Sequence, residues 1–300
     1  MPELPEVETT VRGLKKYIVR KKILDVWTDL STKDKRQAGN IANPKFFPKF
    51  RRAVRNAKIV SVERRAKNIL INLNNGKTIL IHMKMTGHLL YGRYEVRDGK
   101  WVPKKEGPLG DPFNRFIHVV FSLSGKKHLA FSDARKFGKV TLMDTETAHD
   151  TKHLNGIGPE PLDKNFTLVK FKERLSKKLN GKVKSVLMDQ SVIAGIGNIY
   201  SDEILWRAGV HPLRKVSKIK EGELKSILKA TKETLSKGID LGGDSMSDYR
   251  DLLGRRGKFQ LHHMAYQRTD EKCQRKNCRG VVKKIALAGR STHFCPVHQR

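Results

Sequence analysis

The sequence predicts an α+β protein, and three observations predict it. Short β-branched runs fill residues 58–143, apolar residues at helical spacing come before and after them, and all three cysteines lie near the C-terminal end. With 300 residues the chain can bury a sizeable core, divided into two domains and a small appendage. Its 62 Lys and Arg against 30 Asp and Glu leave a formal net charge of +32, far beyond what solubility requires. Such a surplus points to a polyanionic partner. No run approaches the ~18 apolar residues of a membrane span. The N-terminus also lacks the basic-then-apolar layout of a secretory signal, so a cytoplasmic protein is expected.

The chain opens MPELPEVETT, with Val7, Val11, Leu14 and Ile18 spaced as one apolar face of a helix starting near Pro5. Acids in its first turn meet the positive end of the helix dipole, so Glu6 and Glu8 have a purely structural reading. The β runs follow in order: KIVSV, NILINL, TILIHM, FIHVVFSL, HLAFS and KVTLM. Asn75-Gly76 and Ser124-Gly125 suit tight hairpin turns, and closely spaced antiparallel strands make a sandwich or barrel. NGIGPEPLD, from Asn155 to Asp163, is a Gly- and Pro-rich break. Beyond it Leu168, Phe171, Leu175 and Leu179 share one helical face, and Leu224, Ile227, Leu228 and Leu235 another. The expected organisation is a β-rich domain at 1–150, a linker at 151–165, a helical domain at 166–268 and a hairpin tail at 269–300.

Two ends of the chain carry chemistry. Removal of Met1 would make Pro2 a free secondary amine, and an α-amino group with a pKa near ~7.7–8.0 is partly neutral and nucleophilic at pH 7. Attack on a sugar C1′ would give a cationic iminium, an electron sink for elimination, with Glu3 beside it to move protons or steady charge. In the tail, Cys273, Cys278, Cys295 and His298 have the spacing of a ribbon-like site for one structural zinc ion. His293 is an alternative fourth ligand, and a zincless hairpin is the competing reading.

PELPEVE, ERRAKNIL, IHMKMTGHL, SDARKFGKV, GPEPL, LMDQSVIAGIGNIYSDEILWRAGVHP and AGRSTHFC resemble, in order and across almost the whole chain, the Fpg/Nei family of base-excision DNA glycosylases. The resemblance implies an N-terminal β-sandwich with flanking helices, a helix-two-turns-helix domain and a zinc-finger hairpin. It makes Pro2 the nucleophile, Glu3 its acid/base partner and Lys67 a second essential cation. Met85, Arg135 and Phe137 match the residues that fill the hole left by an extruded base. Lys184 and Asn198 match backbone contacts, and Arg290 at the hairpin turn reaches phosphates beside the flipped nucleotide. The trio Met85, Arg135 and Phe137 is closer to the Fpg branch than to the Nei branch. GGDSMSDYRDLLGRRGKF, Gly242 to Phe259, occupies the place of a lesion-capping loop. Two departures stand out: the tail has Cys₃His where four cysteines are usual, and Tyr266-Gln267-Arg268 replaces Tyr-Gly-Arg.

The implied function is a bifunctional glycosylase and abasic-site lyase that removes oxidised purines, formamidopyrimidines and 8-oxoguanine, by β,δ-elimination. It would act as a nucleoid-associated monomer on damaged double-stranded DNA, with zinc and no small-molecule cofactor. The alternatives are a Nei-like preference for oxidised pyrimidines and a non-catalytic damage-binding protein. An intact PELPE argues against the latter, because a pure binder has no use for a free secondary amine.

Overall fold

The computed structural model describes residues 1–105 and 107–300, divided into two compact units. The first is Met1–Asn155 together with Gly242–Lys258; the second is Gly156–Leu241 with Phe259–Arg300.

In the first unit α1 (Leu4–Ile18) buries Val7, Val11, Leu14 and Ile18, the face its spacing predicts. Twelve strands are described in the chain, and eight of them build two four-stranded antiparallel sheets. One sheet has the order β1 (Ile23–Thr28), β8 (Ile117–Leu123), β9 (Lys127–Ser132), β5 (His88–Gly92); the other runs β10 (Lys139–Asp144), β4 (Lys77–His82), β3 (Asn68–Leu73), β2 (Ile59–Arg65). Their inner faces and α1 share one core, in which Phe50, Ile71, Ile81, Phe121 and Phe131 are buried. The two expected hairpins are present, with Gly76 and Gly125 at positive φ in their turns.

Four strands of this domain lie outside the predicted runs, two of them in the main sheets and for identifiable reasons. β1 pairs with β8 through a register irregularity between Ile23 and Asp25, which breaks its alternation. All five residues of β5 are buried, so it has no alternation to read. A small hairpin, β6 (Tyr94–Arg97) and β7 (Lys100–Pro103), turns at Asp98-Gly99 with both residues at positive φ. A short helix α2 (Phe47–Val54) adds Phe50 and Val54 to the core.

Residues 242–258 fold with the first unit although the chain order suggests the helical one. Leu252 is buried in the sandwich core and its carbonyl accepts the Tyr91 N–H at 2.7 Å. Arg250, almost fully buried, pairs with Asp111 at 3.0 Å.

The second unit holds α3 (Leu168–Ser176), α4 (Val183–Leu187), α5 (Asn198–Ala208), α6 (Glu221–Asp240) and the hairpin β11 (Lys283–Leu287) with β12 (Arg290–Phe294). Phe171 and Leu175 of α3, and Ile227 and Leu235 of α6, are buried as their spacing predicts. Leu179 is not: α3 stops at Ser176 and Leu179 is 48% exposed. α5 ends at Gly209 with φ 72°, a left-handed cap that suits glycine.

Candidate active site and nucleic-acid interface

The N-terminus is a built site. Pro2 is buried, and Glu3, 2% exposed, is the N-cap of α1. Glu6 closes a capping box by accepting the Glu3 N–H at 2.7 Å, while its other oxygen accepts the Asp244 N–H at 2.7 Å. Glu6 therefore fixes the backbone of Glu3 and ties the Gly242–Lys258 segment to it. Gly243 is required there, since its φ is 86° and a Cβ would stand 2.9 Å from Glu6 Cγ.

Glu8 is structural. It accepts from Arg12 at 3.1 Å and from Arg64 at 2.8 Å, and Arg64 also donates to the Ala66 carbonyl at 3.1 Å. Burial pushes the Glu8 carboxyl up, but Arg64 and Arg12 outweigh it and hold it below the usual range. The bridge through Arg64 links α1 to the β2–β3 turn, where Ala66 takes φ 51° and Lys67 follows, 7% exposed. Lys67 is thus presented from a braced turn rather than from a loose surface.

His82, at the end of β4, was not singled out by its sequence. Burial, then the charges of Lys84 and Lys67, push its imidazole down to about 3. Its Nδ1 accepts the Lys84 N–H at 3.0 Å, so the ring is neutral with its proton on Nε2, a donor beside Lys67.

The residues expected to form the wedge, Met85, Arg135 and Phe137, sit on two adjoining loops. Met85 is 42% and Phe137 54% exposed, and Arg135 is exposed with its guanidinium 4.5 Å above the Phe137 ring. Asp133, 1% exposed, organises both loops. It accepts the Thr86 hydroxyl from the Met85 loop, the Arg135 N–H at 3.3 Å and the Gly138 N–H at 2.6 Å. An aspartate receiving three donors from two loops leaves no trace in local sequence pattern.

In the second unit the turns between α4 and α5 are braced by Gln190, whose side chain donates to the Met188 and Ile196 carbonyls and accepts the Gly195 N–H at 2.8 Å. Gly195 takes φ 84°. Asn198 then opens α5, half-buried, with a side-chain oxygen that has no hydrogen-bond partner among the described residues. Turned by half a rotation, the amide offers its NH₂ at that spot at the N-terminal, positive end of the α5 dipole, where an anion is favoured.

Lys184, expected as a surface phosphate contact, is instead 1% exposed. Its Nζ lies 2.7 Å from Asp202 and donates to the Ser291 carbonyl at 2.8 Å and the Thr292 hydroxyl at 2.9 Å. Asp202 also accepts the His293 N–H at 2.9 Å and meets its Nδ1 at 3.2 Å. A lysine so engaged has its charge neutralised locally; it fastens β12 to α4 and α5. That strand begins with Arg290, which is exposed after the positive-φ turn Ala288-Gly289.

The sulfur and ring atoms of Cys273, Cys278, Cys295 and His298 all lie within 4.8 Å of one another. Cys278 and Cys295 sulfurs are 3.7 Å apart, close to the ~3.8 Å between two thiolates at ~2.3 Å from a tetrahedral ion. His298 Nε2 lies 3.0 Å from the Trp206 carbonyl, which can only accept, so Nδ1 is left to bind metal, 3.3 Å from Cys273 Sγ. The donor set fits one zinc ion. His293 is not the fourth ligand, being committed to Asp202. Gly280 gives the knuckle room, as a Cβ there would stand 2.4 Å from Cys295 Sγ.

Sequence models of three domains match the chain: the formamidopyrimidine-DNA glycosylase N-terminal domain over residues 1–140, the H2TH domain of the same proteins over 157–250, and a zinc finger found in FPG and IleRS over 270–297. Formamidopyrimidine-DNA glycosylase of Herpetosiphon aurantiacus is 38% identical over 299 residues, covering 100% of both chains. That of Streptococcus mutans is 37% identical over 300 residues with the same coverage. Among solved structures, Lactococcus lactis Fpg bound to DNA with an abasic site superposes with a TM-score of 0.83 at 31% identity, covering 99% of each chain. The same bacterium's Fpg with Fapy-dG-containing DNA gives 0.82 at 31% identity, covering 99% of this chain and 100% of the other.

Proposed function

The chain belongs to the formamidopyrimidine-DNA glycosylase family, and from that premise we propose that it is a base-excision repair enzyme, a DNA glycosylase with abasic-site lyase activity that removes oxidised purines from duplex DNA. The observation that carries this reading is the buried Pro2-Glu3 pair, capped onto α1 by Glu6. Once Met1 is removed, the Pro2 nitrogen attacks C1′ of the damaged nucleotide and the bond from C1′ to the base breaks. Glu3 supplies or accepts the proton that opens the sugar. The resulting iminium acidifies C2′, so β-elimination expels the 3′ phosphate and δ-elimination the 5′ phosphate. Lys67 and the neutral His82 steady the strand near the reacting sugar, and the Met85, Arg135 and Phe137 wedge fills the space of the extruded nucleotide.

Asn198 and Arg290 serve as phosphate contacts, with Lys184 supporting Arg290 from beneath. Zinc held by Cys273, Cys278, Cys295 and His298 has no open position, so it shapes the hairpin and takes no part in the chemistry. The net charge of +32 supports a nucleoid-associated enzyme. No helix among the described residues is long and apolar enough to cross a membrane. A monomer without a small-molecule cofactor is part of this proposal.

Borohydride trapping on duplexes with different lesions, read with the intact mass of the protein, tests this reading. A variant retaining Met1 should lose the covalent adduct, a drop of at least about a thousandfold, while duplex binding persists; Pro2→Gly, whose N-terminal primary amine can still form an imine, should trap more weakly than the wild type but not lose trapping. Trapping at the wild-type rate with Met1 still attached would exclude the N-terminal amine. Faster excision of oxidised pyrimidines than of purines would move the enzyme to the Nei-like alternative.

A further inference from the structure

A pocket of about 500 Å³ in the first unit takes no part in the chemistry above. Its walls include Tyr17, Tyr91, Arg93, Lys105, Lys127 and Leu253. The volume lies within the ~300–1,000 Å³ range of ligand sites. Tyr17 and Tyr91 stack with ring centroids 5.2 Å apart at 23°, Lys127 Nζ lies 5.9 Å above the Tyr91 ring and Lys16 Nζ 5.4 Å above that of Tyr17. The β8–β9 turn is next to this cluster: a Cβ on Gly125 would stand 3.6 Å from Lys21 Nζ, and Lys126 follows it in the turn. Among the described residues none of Lys16, Lys21, Arg93, Lys105, Lys126 and Lys127 has an acidic partner, and no acid lines the pocket. Tyr17 lies thirteen residues along α1 from Leu4, about 20 Å from the Pro2 end at ~1.5 Å per residue.

We propose that this pocket is a second nucleic-acid site that takes single-stranded DNA or RNA. The strand's phosphates lie against Arg93, Lys105 and Lys127, and an unpaired base lies on the half-buried Tyr17, which Tyr91, 7% exposed, backs from the core. Cations without an acidic partner among the described residues, beside stacked aromatics, are what a single strand needs, since its bases offer π faces that a duplex keeps closed. A free phosphate would use the cations but not the rings. Because the pocket and Pro2 sit at opposite ends of one helix, occupation of the first leaves the second accessible. The enzyme can then stay anchored to an exposed strand while its catalytic end engages a duplex.

The test uses the full chain saturated with a short duplex carrying an uncleavable abasic analogue, titrated with fluorescent dT₁₂ and, in parallel, with inorganic polyphosphate. The oligonucleotide should still bind. Lys105→Gln with Lys127→Gln should lower the log-log salt slope by about 1.4, at ~0.7 per phosphate contact on a single strand. Tyr17→Leu, which keeps an apolar side chain and is checked by its melting temperature, should weaken dT₁₂ by about fivefold or more and leave polyphosphate unchanged. Cleavage of a short lesion duplex should be unaffected in all variants. Displacement of dT₁₂ by the duplex, or an unchanged slope in the double variant, would overturn the proposal. Equal effects of Tyr17→Leu on both ligands would do so as well, reducing the pocket to a polyanion patch.

Discussion

Gln267 sits at φ 57°, where the family resemblance has glycine. The left-handed region crowds a Cβ, so Gln267→Gly is expected to raise stability by about 1 kcal/mol, checked by denaturant midpoint at unchanged m-value. That position could be identified from sequence because a missing glycine signals a backbone requirement. The burial of Lys184 could not be, since lysines are exposed by default and its partner lies in another helix. Breaking that pair with Asp202→Asn leaves a buried ammonium short of its counter-charge and should cost about 3–5 kcal/mol, whereas Lys184→Met with Asp202→Leu should cost far less. Chemical denaturation of the two variants decides it: similar losses would mean the pair carries no special burden. The sequence singled out Pro2, Glu3 and the cysteine-histidine set because their proposed chemistry tolerates few other residue types, and Lys67 only through the family resemblance. His82 and Asp133 were not singled out, because each also depends on a residue distant in sequence, Lys67 for His82 and Thr86 for Asp133.

At the scale of elements, the hairpin β11–β12 is held at one end by Lys184 and Asp202 and at the other by the Cys₃His set. Gly280→Ala presses a methyl against Cys295, so elemental analysis should find the variant losing most of its one equivalent of zinc, with weaker duplex binding. The sandwich has its own core and its melting should be little changed; full zinc occupancy in that variant would show that the knuckle can yield. Strands with clean alternation and a turn signal were legible, as at β3–β4. β1 was hidden by its irregular register and β5 by complete burial, which removes the polar half of the pattern. The β6–β7 hairpin did carry its signal, in Asp98-Gly99. The helix α3 ended before its apolar spacing did, leaving Leu179 outside.

Across the whole molecule, acid should act first through histidines. His82 titrates near 3 when folded, and burial lowers His88 in the same direction, whereas an unfolded histidine titrates at ~6.5. The unfolded chain therefore binds protons that the folded one refuses. Stability is complete above about pH 6.5 and falls as pH drops, first through the histidines, and below about pH 5 carboxylates held low by their partners, such as Glu8 and Asp111, add to the loss. His82→Gln should flatten the decline between pH 6.5 and 4.5 by up to about 2 kcal/mol, read from melting temperature against pH; an unchanged slope would place His82 in contact with bulk water. The assignment of residues 242–258 to the first unit was the largest feature that chain order concealed, because nothing local announces that a segment returns to an earlier core. That return sets a schedule for synthesis. When Asn155 leaves the ribosome, the Tyr91 N–H still lacks the Leu252 carbonyl, the core lacks Leu252, and Glu6 lacks the Asp244 N–H. At ~5–20 residues per second the missing segment arrives roughly 5–20 s later. During that interval the contacts that close the sandwich core and brace Glu6 are still missing, so the N-terminus proposed to act in catalysis is among the last parts of the domain to be completed.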